Sequence, residues 1–121
     1  MDRIAFETIV IEALDTLPAE YARLLTNVEI RIEQRPTREQ RRDLGLRPWQ
    51  TLYGLYEGTP LTDRHGGDPL LPDVITIFQA PLMRDFPGRN ELRDQVRRTV
   101  LHEIAHFFGI SDERLRELDA Y

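Results

Sequence analysis

The sequence predicts a single α+β domain of 121 residues. Three observations carry that expectation. Val28-Glu29-Ile30-Arg31-Ile32-Glu33 alternates strictly between apolar and charged residues, the pattern of a strand buried on one face. Apolar residues recur at helical spacing near both ends of the chain, and a run dense in glycine and proline separates two further strand-like segments. A chain of this length with 40% hydrophobic content can build one compact core but not two.

Taken in order, Phe6, Ile9, Val10, Ala13, Leu14 and Leu17 step by three and four residues and predict a helix over 6–17 with one buried stripe, ended by Pro18. A short turn over 19–25 leads into the strand at 28–33. Thr37 is placed to cap a short charged helix over 37–43, which Gly45 and Pro48 terminate. Thr51-Leu52-Tyr53-Gly54-Leu55-Tyr56 reads as a second strand. Residues 57–73 hold Gly58, Pro60, Gly66, Gly67, Pro69 and Pro72, which predicts a long loop. Val74-Ile75-Thr76-Ile77-Phe78 is rich in β-branched residues and predicts a third strand, either central or at an edge where an extended peptide could pair with it. Pro81 and Pro87-Gly88 delimit the segment after it. Asn90 is expected to cap a helix over 91–108, and Ser111 a last short helix over 111–118 with Leu115 and Leu118 facing inward.

The net charge of −5 argues against a nucleic-acid partner. Arg31, Arg35, Arg38, Arg41, Arg42 and Arg47 are concentrated in one stretch, but Glu33, Glu39 and Asp43 are interspersed. That mixture fits a solvated face and, alternatively, a dock for an acidic partner. The chain has no cysteine, so thiolate ligands and disulfides are excluded and a reducing compartment is expected. The first residues match neither a secretory leader nor a membrane span, which makes a cytoplasmic bacterial-type protein the expectation.

His102-Glu103-Ile104-Ala105-His106 carries the chemistry. Helix residues four apart lie about 40° from each other around the axis, so both imidazoles address one point as metal ligands. Glu103, rotated by roughly 100° from His102, is badly placed to chelate with them but can reach a water on the metal as general base. Val96, Val100, Leu101, Ile104, Phe107 and Phe108 form an apolar arc of roughly 140° that leaves the histidines outside it. Gly109 can end the helix in a left-handed conformation, and Asp112 lies past the bend as the candidate third ligand, zinc accepting a carboxylate oxygen. Asp112 could instead complement the dipole of the last helix. Glu113, Asp119 and His65 are rival donors, and His65 is as readily an exposed loop residue. Tyr53 and Tyr56 could donate to an oxyanion or serve in packing.

The pattern His-Glu-x-x-His-x-x-Gly-x-x-Asp from His102 to Asp112 resembles the long zincin signature, with Asp112 where metzincins carry a third histidine. Residues 101–115, with Leu52-Tyr53-Gly54-Leu55-Tyr56-Glu57-Gly58-Thr59-Pro60-Leu61 and Pro72-Asp73-Val74-Ile75-Thr76-Ile77-Phe78, look like the small bacterial zincin-like metallopeptidases. The resemblance implies a minimal zincin fold, a few-stranded sheet packed on the N-terminal and active-site helices, with zinc held by His102, His106 and Asp112. It implies a metallopeptidase acting on a peptide or protein substrate, with Glu103 as general base. Residues 113–121 contain no methionine and Met83 lies upstream, so the methionine turn of metzincins is not expected. The competing expectation is a non-catalytic, metal-stabilised module that binds a protein partner through the arginine-rich stretch or the long loop.

Overall fold

A computed structural model describes residues 2–58 and 73–117, with every side chain among them except those of Asp112 and Leu115. Helix α1 spans Arg3–Asp15 and starts earlier than its apolar stripe suggests, because Asp2 accepts a hydrogen bond from the Ala5 N–H at 2.8 Å and caps it. Phe6, Ile9, Val10 and Ala13 are buried as the spacing requires, while Leu17 is buried just beyond the helix end. Helix α2 (Ala19–Ala22) and a 3-10 turn (Arg23–Leu25) lead to strand β1 (Val28–Glu33). Helix α3 (Arg38–Asp43) carries a full capping box: the Gln40 N–H donates to the Thr37 hydroxyl and the Thr37 N–H to the Gln40 side chain, at 3.0 and 2.9 Å.

Strand β2 is Gly54–Glu57, shorter than the expected 51–56, and β3 is Asp73–Phe78. They form a three-stranded sheet in the order β1-β3-β2, with β1 parallel and β2 antiparallel to β3. The register sets Ile30 beside Ile75 and Gly54 beside Ile77. β3 is therefore the central strand and cannot offer an edge to a peptide. Its composition agrees, since Ile75, Thr76, Ile77 and Phe78 are all buried.

Two helices come next. Helix α4 (Gln79–Asp85) departs from the sequence expectation, in which Pro81 reads as a breaker. The proline sits in the first turn, where a backbone N–H has no helical partner to lose. Helix α5 spans Arg89–Phe108, and Gly88, not Asn90, is its N-cap: the Leu92 N–H already bonds the Gly88 carbonyl at 2.8 Å, which places Asn90 inside the first turn. α5 packs along α1 over one face of the sheet, and Val96, Val100, Leu101 and Ile104 meet Phe6, Ile9, Ile75 and Ile77 in the core. Each such fully buried side chain stabilises the fold by about 1.5–3 kcal/mol. Ion pairs from Arg89 and Arg93 to Glu12 tie the first turns of α5 to α1. Helix α6 (Asp112–Glu117) closes the described chain. Among the described residues no helix is long and apolar enough to cross a membrane.

Candidate metal and catalytic site

The last two turns of α5 keep Ile104 and Ala105 in the core and run beside β2. Gly54 is what lets the two elements meet. A Cβ at this position would lie 2.6 Å from the Thr99 methyl and 3.3 Å from the Thr76 carbonyl oxygen, closer than packed atoms come. Thr99 is buried and stiff at its branched Cβ, so only a residue without a side chain fits. Two residues along β2 and one turn along α5, the same proximity puts the Tyr56 N–H on the Glu103 carboxylate.

The ladder explains why that N–H is available. The Phe78 N–H bonds the Tyr53 carbonyl at 2.9 Å, and in an antiparallel pair such bonding residues alternate with ones whose polar groups point away. Tyr53 and Leu55 thus face β3. Gly54 and Tyr56 turn their backbone groups to the outer edge.

Glu103 is half-buried. Burial pushes its carboxyl up to about 6, against the opposing effects of the nearby His106 charge and of the Tyr56 N–H. His102 and His106 flank it on successive turns and are both exposed, in contrast to the buried Leu101, Ile104 and Ala105. The separation of imidazoles from core expected from the spacing is present. The aromatic pair next to them departs from the expected arc: Phe108 is 44% exposed, and Phe107 is half-buried and stacks on Tyr56 with ring centroids 4.1 Å apart. Both rings pack on Tyr56 of the edge strand β2, where the sheet leaves them partly open to solvent.

Gly109 ends α5 in the left-handed conformation, φ 71°, and its N–H bonds the Ala105 carbonyl. Ser111 caps α6, accepting from the Arg114 N–H at 3.2 Å. The Arg114 guanidinium binds Glu117 and Glu20, which holds α6 against α2. Asp112 is the first residue of α6, one turn of chain after Gly109; its side chain, like that of Leu115 and like His65, Leu118 and Asp119, lies outside the described residues. Glu113 is described and exposed. Among the described residues no group of three or more His, Asp or Glu side chains is gathered closely enough to hold a metal ion. His102 and His106 remain the pair suited by chemistry and placement to contribute two nitrogen donors, with an oxygen donor needed from another part of the chain.

The two tyrosines are committed elsewhere. The Tyr56 hydroxyl donates to Asp73 at 2.7 Å and the Tyr53 hydroxyl to Asp85 at 2.5 Å. Desolvation and the bond to Asp85 push Tyr53 up to about 12, while Arg84 and then Tyr53 hold Asp85 down at about 2. These bonds give both phenols structural work. Sequence reasoning misses the role of Gly54 and the Tyr56 backbone; the available signal is a glycine inside a strand pattern, which marks a close backbone approach.

A search among curated proteins gave no match. A sequence model of the family described as zincin-like metallopeptidase matches residues 25–121, which span every element from β1 onward and the whole of the site. With a sheet edge, a long helix and a His-Glu-x-x-His pair assembled in this way, the chain belongs to the zincin-like metallopeptidase family.

Proposed function

We propose that this chain is a zinc-dependent peptidase in which His102, His106 and Asp112 hold the metal and Glu103 is the general base. The observation that supports it most is the setting of Glu103, half-buried under β2 between two exposed imidazoles with the Tyr56 N–H on its carboxylate. Bound to such a donor set, zinc supplies Lewis acidity toward a peptide carbonyl and toward water. Glu103 takes a proton from the attacking water and passes it to the departing amine nitrogen. The Tyr56 N–H keeps the carboxylate oriented during both transfers. The substrate class this chemistry takes is a peptide or protein. A ligand set without thiolates suits a reducing cytoplasm.

Metal analysis of the purified protein, then cleavage of a peptide library with and without chelator, tests this. Stoichiometric zinc, chelator-sensitive cleavage and loss of turnover in Glu103→Gln with metal retained are expected. Zinc without cleavage of any library would remove the enzyme reading, and no divalent metal under any condition would remove the metal site.

One observation favours the second reading, a metal-stabilised module for an acidic protein partner. A cavity of about 560 Å³ is lined by Arg35, Arg41, Arg84 and Trp49 among others, with no carboxylate among its lining residues. Arg41 spends its donors on the backbone carbonyls of Arg47 and Gln50, so its charge is left uncancelled. In this reading Glu103→Gln is silent and Arg35→Glu abolishes partner binding.

A further inference from the structure

β1 ends the sheet on the side opposite β2. Among the described residues no strand pairs with its outer edge. Six residues long, it contains no proline, and charged side chains are the edge-protecting feature it carries. Its only charges are Glu29, Arg31 and Glu33, which point to one face, and Arg31 bonds Glu29 two residues away at 3.1 Å with both side chains about half exposed.

The order of these residues is self-complementary. When two copies of one strand pair antiparallel about a two-fold axis, paired residues have a constant sum of numbers. The faces match only when that sum is even, so the axis passes through a residue. Centred on Ile30, Glu29 meets Arg31 of the second copy, Arg31 meets Glu29, and Val28 meets Ile32. Every pair with both members in the strand is then favourable, and Glu33 falls opposite Asn27, which carries no charge. Centring on Arg31 sets arginine on arginine and Glu29 on Glu33. Centring on Glu29 sets two carboxylates together. Centring on Ile32 pairs the charges but sets Gln34 on Ile30 and Pro36 on Val28.

The ground beside the edge suits the same partner. A groove of about 340 Å³ runs between α1 and β1, with Val10, Ile11, Leu14, Ile30 and Ile32 as its apolar lining and the charged Arg3, Glu7, Glu29 and Arg31 around them. Ile11 is 59% exposed, and Ile4, two turns earlier on the same side of α1, is 76% exposed. A bare strand edge buries little, and this apolar strip supplies area that a stable pair needs.

We propose that the chain forms a two-fold dimer through β1, pairing antiparallel with β1 of a second copy centred on Ile30. The two sheets become one continuous sheet, and both β2 edges, with their α5 sites, lie at its far ends. The pairing is independent of what the site does.

Sedimentation of the full chain tests it. The wild type runs with the mass of two chains. Arg31→Glu and Glu29→Arg each turn two attractive cross-strand pairs into repulsive ones and weaken the dimer by about tenfold or more. The combined Glu29→Arg, Arg31→Glu variant restores the pairs and the dimer. Because the chain has no cysteine, a mixture of Glu29→Cys and Arg31→Cys chains should cross-link under mild oxidation while neither does alone. A wild type that stays monomeric, or a dimer indifferent to both single reversals, overturns the proposal.

Discussion

The sheet has two edges, and they are used in opposite ways. β2 is short, begins at a glycine, and is pressed onto α5 so closely that its Tyr56 N–H serves the Glu103 carboxylate. β1 is longer, carries its charges on exposed positions and faces only a shallow groove beside α1. Each turns alternate backbone groups away from β3. What separates them is the neighbour: a helix that brings a half-buried carboxylate to one edge, and an exposed groove of apolar and paired charged side chains beside the other. An edge strand becomes part of a site when a packed element presents chemistry to it, and it becomes an association surface when none does.

The contrast is most severely tested at Glu103. Glu103→Gln keeps the shape and removes the base, so peptide turnover should fall by about 10²–10⁴-fold while bound metal is retained; a turnover within twofold of wild type would leave the β2 edge without a chemical role. Next comes Gly54→Ala, whose methyl must displace Thr99 or part β2 from α5. It should cost about 1–3 kcal/mol in urea unfolding, with turnover falling as the Tyr56 N–H is pushed off Glu103. Adding Thr99→Ser removes the methyl in the way and should recover most of the loss; no recovery would mean the backbone contact with Thr76 dominates.

At the other edge the same experiment should be nearly silent. Arg31→Glu is exposed and should change the unfolding free energy of the single chain by no more than about 0.5 kcal/mol, its effect being confined to the association equilibrium. A large loss of monomer stability would show that β1 is not a free surface.

The smallest effects belong to the Tyr53 and Asp85 pair that fixes the entry to β2. Asp85 is held down at about 2, so its contribution to stability is present above its ordinary range near 4 and is lost as pH falls from there toward 2. Tyr53 is raised to about 12, so its contribution is complete below its ordinary value near 10 and is lost as pH climbs toward 12. Melting temperatures across both limbs should show Tyr53→Phe flattening the alkaline one and only reducing the acid one, because Arg84 is the larger cause at Asp85. An ultraviolet titration should find one tyrosine ionising last, and that signal should vanish in the variant.

Much of the fold, and the exposure of both histidines away from the core, is legible in the residues. The stripe Phe6, Ile9, Val10, Ala13, the alternation at 28–33, the Thr37 cap, the Ser111 cap and the left-handed Gly109 all obey rules that act within a turn or two of chain. So does the pairing of His102 with His106, since four residues on a helix set their azimuth. The departures share one form. Pro81 reads as a break in the sequence because its position relative to the first turn of α4 depends on where β3 stops. Asn90 reads as the cap because the true cap is set by where the Gly88 carbonyl is caught. Spacing puts Phe108 in the core because it cannot reveal that this turn of α5 meets only the edge strand, through Tyr56.

Local order along the chain thus sufficed for most of the elements and for the exposed placement of His102 and His106, because hydrogen bonding and periodicity within one helix or strand are short-range. Which edge would meet α5 and how deeply Glu103 would be buried are set by contacts between residues more than forty positions apart, such as Gly54 with Thr99 and Tyr56 with Glu103, and which strand would be central by pairings of β3 with both β1 and β2. Those contacts depend on register and on a missing side chain at Gly54, and neither leaves a periodic trace in the sequence.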